Sequence, residues 1–473
     1  MKRRKPRTQA KPAPTGPWFS PWLVLALLAV ALGLRVYYFL LTRDQPVWWD
    51  EAEYLVKARS IALGTPDTGY FIGRPILLSV FMSGLYAIGL GETAIRVAFV
   101  AFSLATVWLT YSVGRRLCGE LVGLIAALLF STCYIALFYT TRIMTEIPQL
   151  ALCLLAVDLL LARRPWRTAL AIPVLVLGTL ARFPSAILLP ILLVHIAVTE
   201  GRAALRNRPL LLSFALAALV GLPYLLWARA TYGDPLAAWH ASQFHIPKLT
   251  FWDRLEGVGF YLAWLRSFGW LLLPFLAVGL VVTLRRALLV TVWALTPLLY
   301  FGLFLRPLED RFIILALPPC FIAAAAGLVW VAGRVTTGGR QTALVVAVAL
   351  VGAWPLASYS DQLIRVKLDT YSGLKDAGAW IRQNSTPETK VMTPSSPQLT
   401  YYSERATVTI PKDPKEFTRR LEAGETRYVV LSQYEGNPKW MQKTSPSSLG
   451  LQGVVGFPAD KPQAIVFTYG ARR

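Results

Sequence analysis

The chain has 473 residues, 55% of them hydrophobic, 12% aromatic and only 16% charged. Soluble domains carry nearer about a quarter charged residues, so the composition points to a membrane protein rather than a cytosolic one. The net charge of +22 sits in short clusters between apolar runs, with no basic stripe on a polar fold; that pattern excludes nucleic-acid binding and matches the loops that set membrane topology.

Residues 1–20 form a basic tail opening Lys2-Arg3-Arg4-Lys5-Pro6-Arg7, followed by an apolar run over 22–41. That run is longer than a signal-peptide core and lacks a small-residue cleavage site, which predicts an uncleaved span with the N-terminus in the cytoplasm. Just beyond it lies Trp48-Trp49-Asp50-Glu51-Ala52-Glu53-Tyr54. Acids beside tryptophans at a membrane surface are costly to hold there. They suit the start of an interfacial helix. They suit a general base better, since desolvation by apolar surface raises a carboxylate's proton affinity. Gly73-Arg74-Pro75 follows. Its guanidinium either snorkels to lipid headgroups or holds a phosphate by paired hydrogen bonds.

Further apolar runs occupy 93–113, 120–139, 147–162, 168–181, 184–199, 209–228, 259–284, 287–305, 312–333 and 341–358, so roughly eleven spans are predicted. Residues 75–90 are also apolar. If they lie in the interface or re-enter, the inner loops contain Arg115-Arg116, Arg163-Arg164 with Arg167, Arg202 with Arg206 and Arg208, Arg285-Arg286, and Arg334 with Arg340. If they span, all of these face outside, against the positive-inside rule. The interfacial assignment gathers the mixed charge on the outer face, at Asp50, Glu51, Glu53, Glu146, Asp234, Asp253, Glu309 and Asp310 with Arg74, Arg142, Arg182, Arg306 and Arg311.

Arg142 and Glu146 share a face if their segment is helical. They form either an ion pair or a site in which Glu146 joins Asp50 to position an acceptor or a divalent cation. Arg182-Phe183-Pro184 is a hairpin turn or a second phosphate or sugar contact. Arg311 is a phosphate ligand or the salt-bridge partner of Asp310 or Glu309. His240 and His245, in the outer loop 231–258, are candidate acceptor contacts, and His195 does not complete a metal set with them. Cys118, Cys133, Cys153 and Cys320 lie in or beside apolar runs and read as small buried apolar residues.

After Tyr359 the chain turns polar. Residues 361–473 predict a small α/β domain with helices at 372–383 and 415–423. Strands are predicted at 390–392, 399–410 (with a turn at Ser403-Glu404), 428–431, 454–457 and 464–469. An odd number of spans places this domain outside.

The order of these motifs over residues 20–360 resembles the GT-C superfamily of membrane glycosyltransferases, and within it glycosyltransferase family 39, with the protein O-mannosyltransferases and lipid A aminoarabinose transferases. The resemblance implies a polytopic α-helical membrane protein of GT-C type. Residues 21–360 would be the catalytic domain, with about eleven transmembrane helices plus interfacial helices, and residues 361–473 a small C-terminal α/β extracytoplasmic domain. It implies Asp50 as base with Glu51 and Glu146 as further acids, and Arg74, Arg182 and Arg311 on the donor phosphate. Tyr54 would line the site, with Arg142 of the Arg142–Glu146 motif as a substrate contact; His240 and His245 are added as substrate contacts from their place in the outer loop alone. A divalent cation, if present, would sit on Asp50 and Glu146. The implied reaction moves a monosaccharide from a polyprenyl-phosphate donor to an acceptor hydroxyl of a glycan, lipid or protein, with inversion, at the extracytoplasmic face of the cytoplasmic membrane. Gly73 and Ile76 depart from the aminoarabinose transferases, which have an acid and a proline there, and argue against that same sugar. The rival functions are a lipid-linked glycan transporter or flippase and an oligosaccharide ligase or polymerase. A transporter predicts repeat symmetry, and the chain has no evident repeat.

Overall fold

The computed structural model describes residues 21–243, 248–265, 269–442 and 444–470. The basic tail 1–20 and His245 lie outside the described residues. A helix stands in every predicted span. Six are long and apolar enough to cross a membrane on their own: Pro21–Thr42, Glu92–Cys118, Phe183–Arg206, Arg208–Tyr232, Asp310–Val335 and Gly338–Val366. Shorter helices fill the other five windows: Glu120–Thr132 continued by Tyr134–Phe138, then Glu146–Leu161, Pro165–Ala181, Gly269–Arg286 and Leu288–Phe304. The apolar run predicted at 259–284 is two helices, Phe251–Trp264 and Gly269–Arg286.

Within this bundle Asp310–Val335 is the central helix, with 89% of its apolar window buried against 17% for Arg208–Tyr232. Its partner Gly269–Arg286 touches it backbone to backbone: a Cβ on Gly279 would strike the Ala323 carbonyl, and one on Gly327 the Phe275 carbonyl. Small residues permit such close approach where no hydrophobic effect drives helices together. Cys133, Cys153 and Cys320 are buried, Cys118 is half-buried, and all four are free thiols, as their apolar settings predicted.

A second layer caps one end of the bundle. The Trp49–Leu63 helix is followed by Leu77–Ala87, whose 11 residues reach about 16 Å, roughly half a bilayer core. Residues 75–90 are therefore too short in helix to span alone. Leu78, Met82 and Tyr86 pack with Val47, Leu55 and Val56, and the Ser79 hydroxyl donates to the Tyr54 carbonyl at 3.0 Å.

The C-terminal region forms a five-stranded sheet in the order β2-β1-β3-β5-β4. The strands are β1 (Val391–Met392), β2 (Thr407–Val408), β3 (Tyr428–Ser432), β4 (Leu451–Phe457) and β5 (Ala464–Tyr469). β1 runs parallel to β2 and β3, and β5 antiparallel to β3 and β4. Leu374, Ala377 and Ile381 of the Ser372–Gln383 helix pack in one core with Val391, Tyr428 and Val430. Phe417 and Leu421 of the Pro414–Glu422 helix pack in the other with Met392 and Val429.

The strand predicted at 399–410 is not there. Ser396–Ser403 is a helix with Pro397 in its first turn, and only Thr407–Val408 is strand. The helix wins because its tyrosines reach residues 47–92, a contact invisible to local composition. Tyr402 Oη accepts from the Val47 amide at 2.7 Å, and Tyr401 Oη donates to Glu92 Oε2 at 3.0 Å. Arg59 donates to the Tyr401 carbonyl at 2.9 Å and lies 4.1 Å from that ring's centroid.

Candidate active site

The Trp49–Leu63 helix starts with Asp50 and Glu51 in its first turn, where carboxylates meet the positive end of the helix dipole. Successive helical residues point about 100° apart, so these two neighbours diverge. Glu51 turns inward and is 0% exposed. Its Oε2 accepts from the Trp48 amide at 2.7 Å and from Arg142 Nη1 at 3.1 Å, and its Oε1 from the Ile143 amide at 2.7 Å. Arg142 also donates to the Pro46 carbonyl at 3.0 Å and lies 4.2 Å from the Trp48 ring centroid. Beside them Arg96 donates to the carbonyls of Thr141 at 2.7 Å and Gln45 at 3.0 Å, and pairs with Glu92. This buried bracket ties segment 45–48 to segment 141–143.

Asp50 points the other way, with 22% of its side chain exposed. Its Oδ1 lies 2.7 Å from Arg74 Nη2 and its Oδ2 2.7 Å from Arg311 Nη1. Arg311 Nη1 is also 3.8 Å from Glu146 Oε1, and its Nε pairs with Glu309. Glu146 begins the Glu146–Leu161 helix, is fully buried, and pairs with Arg182. Arg182 sits in the extended break before Phe183–Ile187 and also donates to Thr145 Oγ1 at 3.1 Å. The Phe312 ring faces Arg182 and Arg311, and the Tyr54 ring faces Arg74.

Asp50, Glu146, Tyr54, Arg74, Arg182 and Arg311 are thus brought together, as the sequence predicted. Glu51 and Arg142 are not: they belong to the buried bracket. The expected Arg142–Glu146 pair does not form because residues 142–145 are not helical. His240 is on the Ala237–Gln243 helix, beside the Tyr70–Gly73 turn, and its Nδ1 pairs with Asp234 Oδ2 at 2.6 Å on the surface. The expected rise in Asp50's proton affinity is also reversed. Burial works to raise its pKa, but the guanidiniums of Arg74 and Arg311 outweigh it and hold it at about 2.

Glu309 pairs with Arg311, one of the partners the sequence offered it, whereas Glu53 was left without a role. Glu53 is 1% exposed, and burial pushes its carboxyl up to about 7. Its signal was the i, i+3 spacing from Asp50, which puts both on one helix face. Among the described residues no three His, Cys, Asp or Glu side chains gather as a metal set. Asp50 and Glu146 each already face guanidiniums, so this donor set does not fit a divalent cation.

A model of the dolichyl-phosphate-mannose-protein mannosyltransferase family matches residues 73–227, the stretch holding Arg74, Glu146 and Arg182. The chain is similar in structure to ArnT from Cupriavidus metallidurans bound to undecaprenyl phosphate, with a TM-score of 0.71 at 16% identity, over 96% of this chain and 99% of that one. The fold is that of the GT-C superfamily. Two other GT-C structures agree. The archaeal oligosaccharyltransferase AglB from Archaeoglobus fulgidus, in complex with an inhibitory peptide and a dolichol-phosphate, has a TM-score of 0.62 at 13% identity, over 88% of this chain and 70% of that one. The arabinofuranosyltransferase AftD from Mycobacteria has a TM-score of 0.60 at 16% identity, over 97% of this chain and 40% of that one. No curated protein sequence matches the chain. In this GT-C fold the acid–arginine cluster lies between the start of the Trp49–Leu63 helix and the starts of the Glu146–Leu161 and Asp310–Val335 helices.

Proposed function

We propose that the protein transfers a monosaccharide from a polyprenyl-phosphate-linked donor to an acceptor hydroxyl, with inversion, at the extracytoplasmic membrane face. Residues 1–20 are its cytoplasmic tail, 21–360 its catalytic membrane domain and 361–473 its extracytoplasmic domain. One observation carries this reading: three partly exposed arginines converge on Asp50 and Glu146 at one end of a GT-C bundle. The basic loops assigned to the other end support the choice of face. A planar guanidinium grips phosphate through two parallel hydrogen bonds, and Arg74 and Arg311 with Arg182 supply that grip.

In the reaction the acceptor oxygen bonds to the anomeric carbon from the face opposite the phosphate, and its proton passes to Asp50. The bond from the anomeric carbon to the phosphate oxygen breaks, and its electron pair leaves with the polyprenyl phosphate. An Asp50 held at about 2 is a weak base. A donor phosphate competing for Arg74 and Arg311 removes the two charges that hold it down and raises its proton affinity. Donor binding thus activates the base. Glu146 Oε2 is buried without a hydrogen-bond partner among the described residues and accepts from a sugar hydroxyl. No step is routed through a metal, since the arginines supply the positive charge.

The test compares purified wild type with Asp50→Asn in detergent, supplied with a panel of polyprenyl-phosphate sugars and a membrane extract as acceptor. Release of free polyprenyl phosphate by wild type, lost in the variant while donor still binds, supports the reading. Equal release by both removes Asp50 from the chemistry. Release of a pyrophosphate carrier from longer donors points to an oligosaccharide ligase instead.

A further inference from the structure

Glu53 is a buried acid that the transfer mechanism above leaves unused. It lies three residues beyond Asp50 on the Trp49–Leu63 helix. The Thr68 hydroxyl lies 3.1 and 3.3 Å from its two carboxyl oxygens and donates to them. Among the described residues it forms no ion pair, whereas Asp50, Glu51, Glu146 and Glu309 each pair with arginine. Asp50, Tyr54 and Lys57 flank it on its own helix. Asp67 and Arg74 face it from the loop that follows, and Tyr232 stands beyond Lys57 and Asp67. Lys57 is engaged with Asp67 at 2.7 Å, and Arg74 with Asp50. Burial is the larger influence on Glu53, ahead of Arg74 and the Thr68 hydroxyl, and places it at about 7. A group titrating there is suited to give up a proton at neutral pH.

We propose that Glu53 is the general acid for the leaving phosphate, a reading that rests on the transfer proposed above. The donor is a phosphodiester with one negative charge. When the bond to the anomeric carbon breaks, the electron pair stays on the phosphate oxygen, and the carrier leaves as a dianion unless it gains a proton. Glu53 gives its carboxyl proton to an oxygen of the phosphate seated on Arg74. The products are a monoanionic polyprenyl phosphate and an ionised Glu53. Asp50 meanwhile holds the acceptor's proton. Between turnovers Asp50 releases that proton to solvent and Glu53 takes one back, so the cycle closes with no net gain. Protonating the carrier also removes one charge from a site already crowded with carboxylates, which eases its release. Asp50 and Glu53 are two acids on one helix whose surroundings push their proton affinities apart, and that divergence divides the roles of base and acid between them.

The test measures kcat for polyprenyl phosphate release against pH, on full-length protein in detergent with the donor that wild type uses. Because Glu53 must be protonated to act, wild-type kcat falls as pH rises past its pKa. The bound phosphate adds negative charge nearby and sets that fall at or above about 7. Glu53→Gln keeps the shape and the Thr68 contact but has no proton to give. It lowers kcat by about 100-fold, abolishes the alkaline fall and leaves the donor KM near wild type. Thr68→Val removes a hydrogen bond that favours the ionised form, and moves the alkaline fall to higher pH. Two results overturn the proposal: wild-type kcat in Glu53→Gln, or a reduced kcat whose alkaline fall stays in place, which marks Glu53 as structural. If wild type releases no polyprenyl phosphate at any pH, the transfer reading fails first and this one with it.

Discussion

Asp50 and Glu51 are adjacent in sequence and belong to two ionic clusters built from the same residue types. Around Glu51 the guanidiniums are closed off from solvent: Arg142 and Arg96 are each 1% exposed and donate to backbone carbonyls and to Glu51 and Glu92. Around Asp50 the arginines keep part of their surface open, with 25% of the Arg74 side chain and 18% of Arg311 exposed. Burying an ion pair fixes its geometry and closes it to a ligand, whereas a half-open pair can be exchanged for a phosphate. In the transfer proposed above, the first cluster holds two chain segments in place while the second changes partners.

The sharpest way to break this comparison is Asp50→Asn, which should lower release of polyprenyl phosphate by about 1,000-fold while the melting temperature in detergent stays within a few degrees. If both clusters were catalytic, Glu51→Gln would behave alike. Instead it should destabilise the fold by about 3 kcal/mol or more, because Arg142 is left buried without its counter-charge. Thermal unfolding in detergent separates the two outcomes. Next in size is Arg311→Lys, which keeps the charge but not the fork. A rise of about 10-fold in donor KM is expected, read from initial rates.

Acid sharpens the contrast further. Asp50's folded pKa of about 2 lies below its ordinary 3.8, so its ion pairs stabilise the fold fully above about pH 5. That stability, about 2 kcal/mol, is lost as pH falls toward 2, and Asp50→Asn should flatten this part of an acid-unfolding curve. The smallest change is Tyr401→Phe, which removes the hydrogen bond to Glu92. It should lower stability by about 1 kcal/mol and leave the donor KM unchanged.

The spans were legible because a bilayer demands some twenty apolar residues per crossing, and basic clusters separate them. Asp50, Arg74, Glu146, Arg182 and Arg311 were legible because the loop pattern assigned them to one end, where the fold brings them together. Glu51 was misassigned because adjacency in sequence hides the 100° between neighbours on a helix. The expected Arg142–Glu146 pair fails because i, i+4 spacing counts only in a helix, and residues 142–145 form none. The 396–403 helix was hidden for another reason. Its threonine and tyrosines favour a strand, and the contacts that override them come from residues some 300 positions earlier, such as Tyr86 and Glu92.

Those late contacts bear on how the protein is made. Synthesis runs from the N-terminus, so the segments carrying Asp50, Arg74 and Arg311 leave the ribosome before Tyr401 and Tyr402 exist. Until the last domain folds, the Val47 amide, the Glu92 carboxylate and Arg59 lack the tyrosine partners that brace the Asp50 helix. A chain cut short before Ser396 would leave the Asp50 helix without these braces.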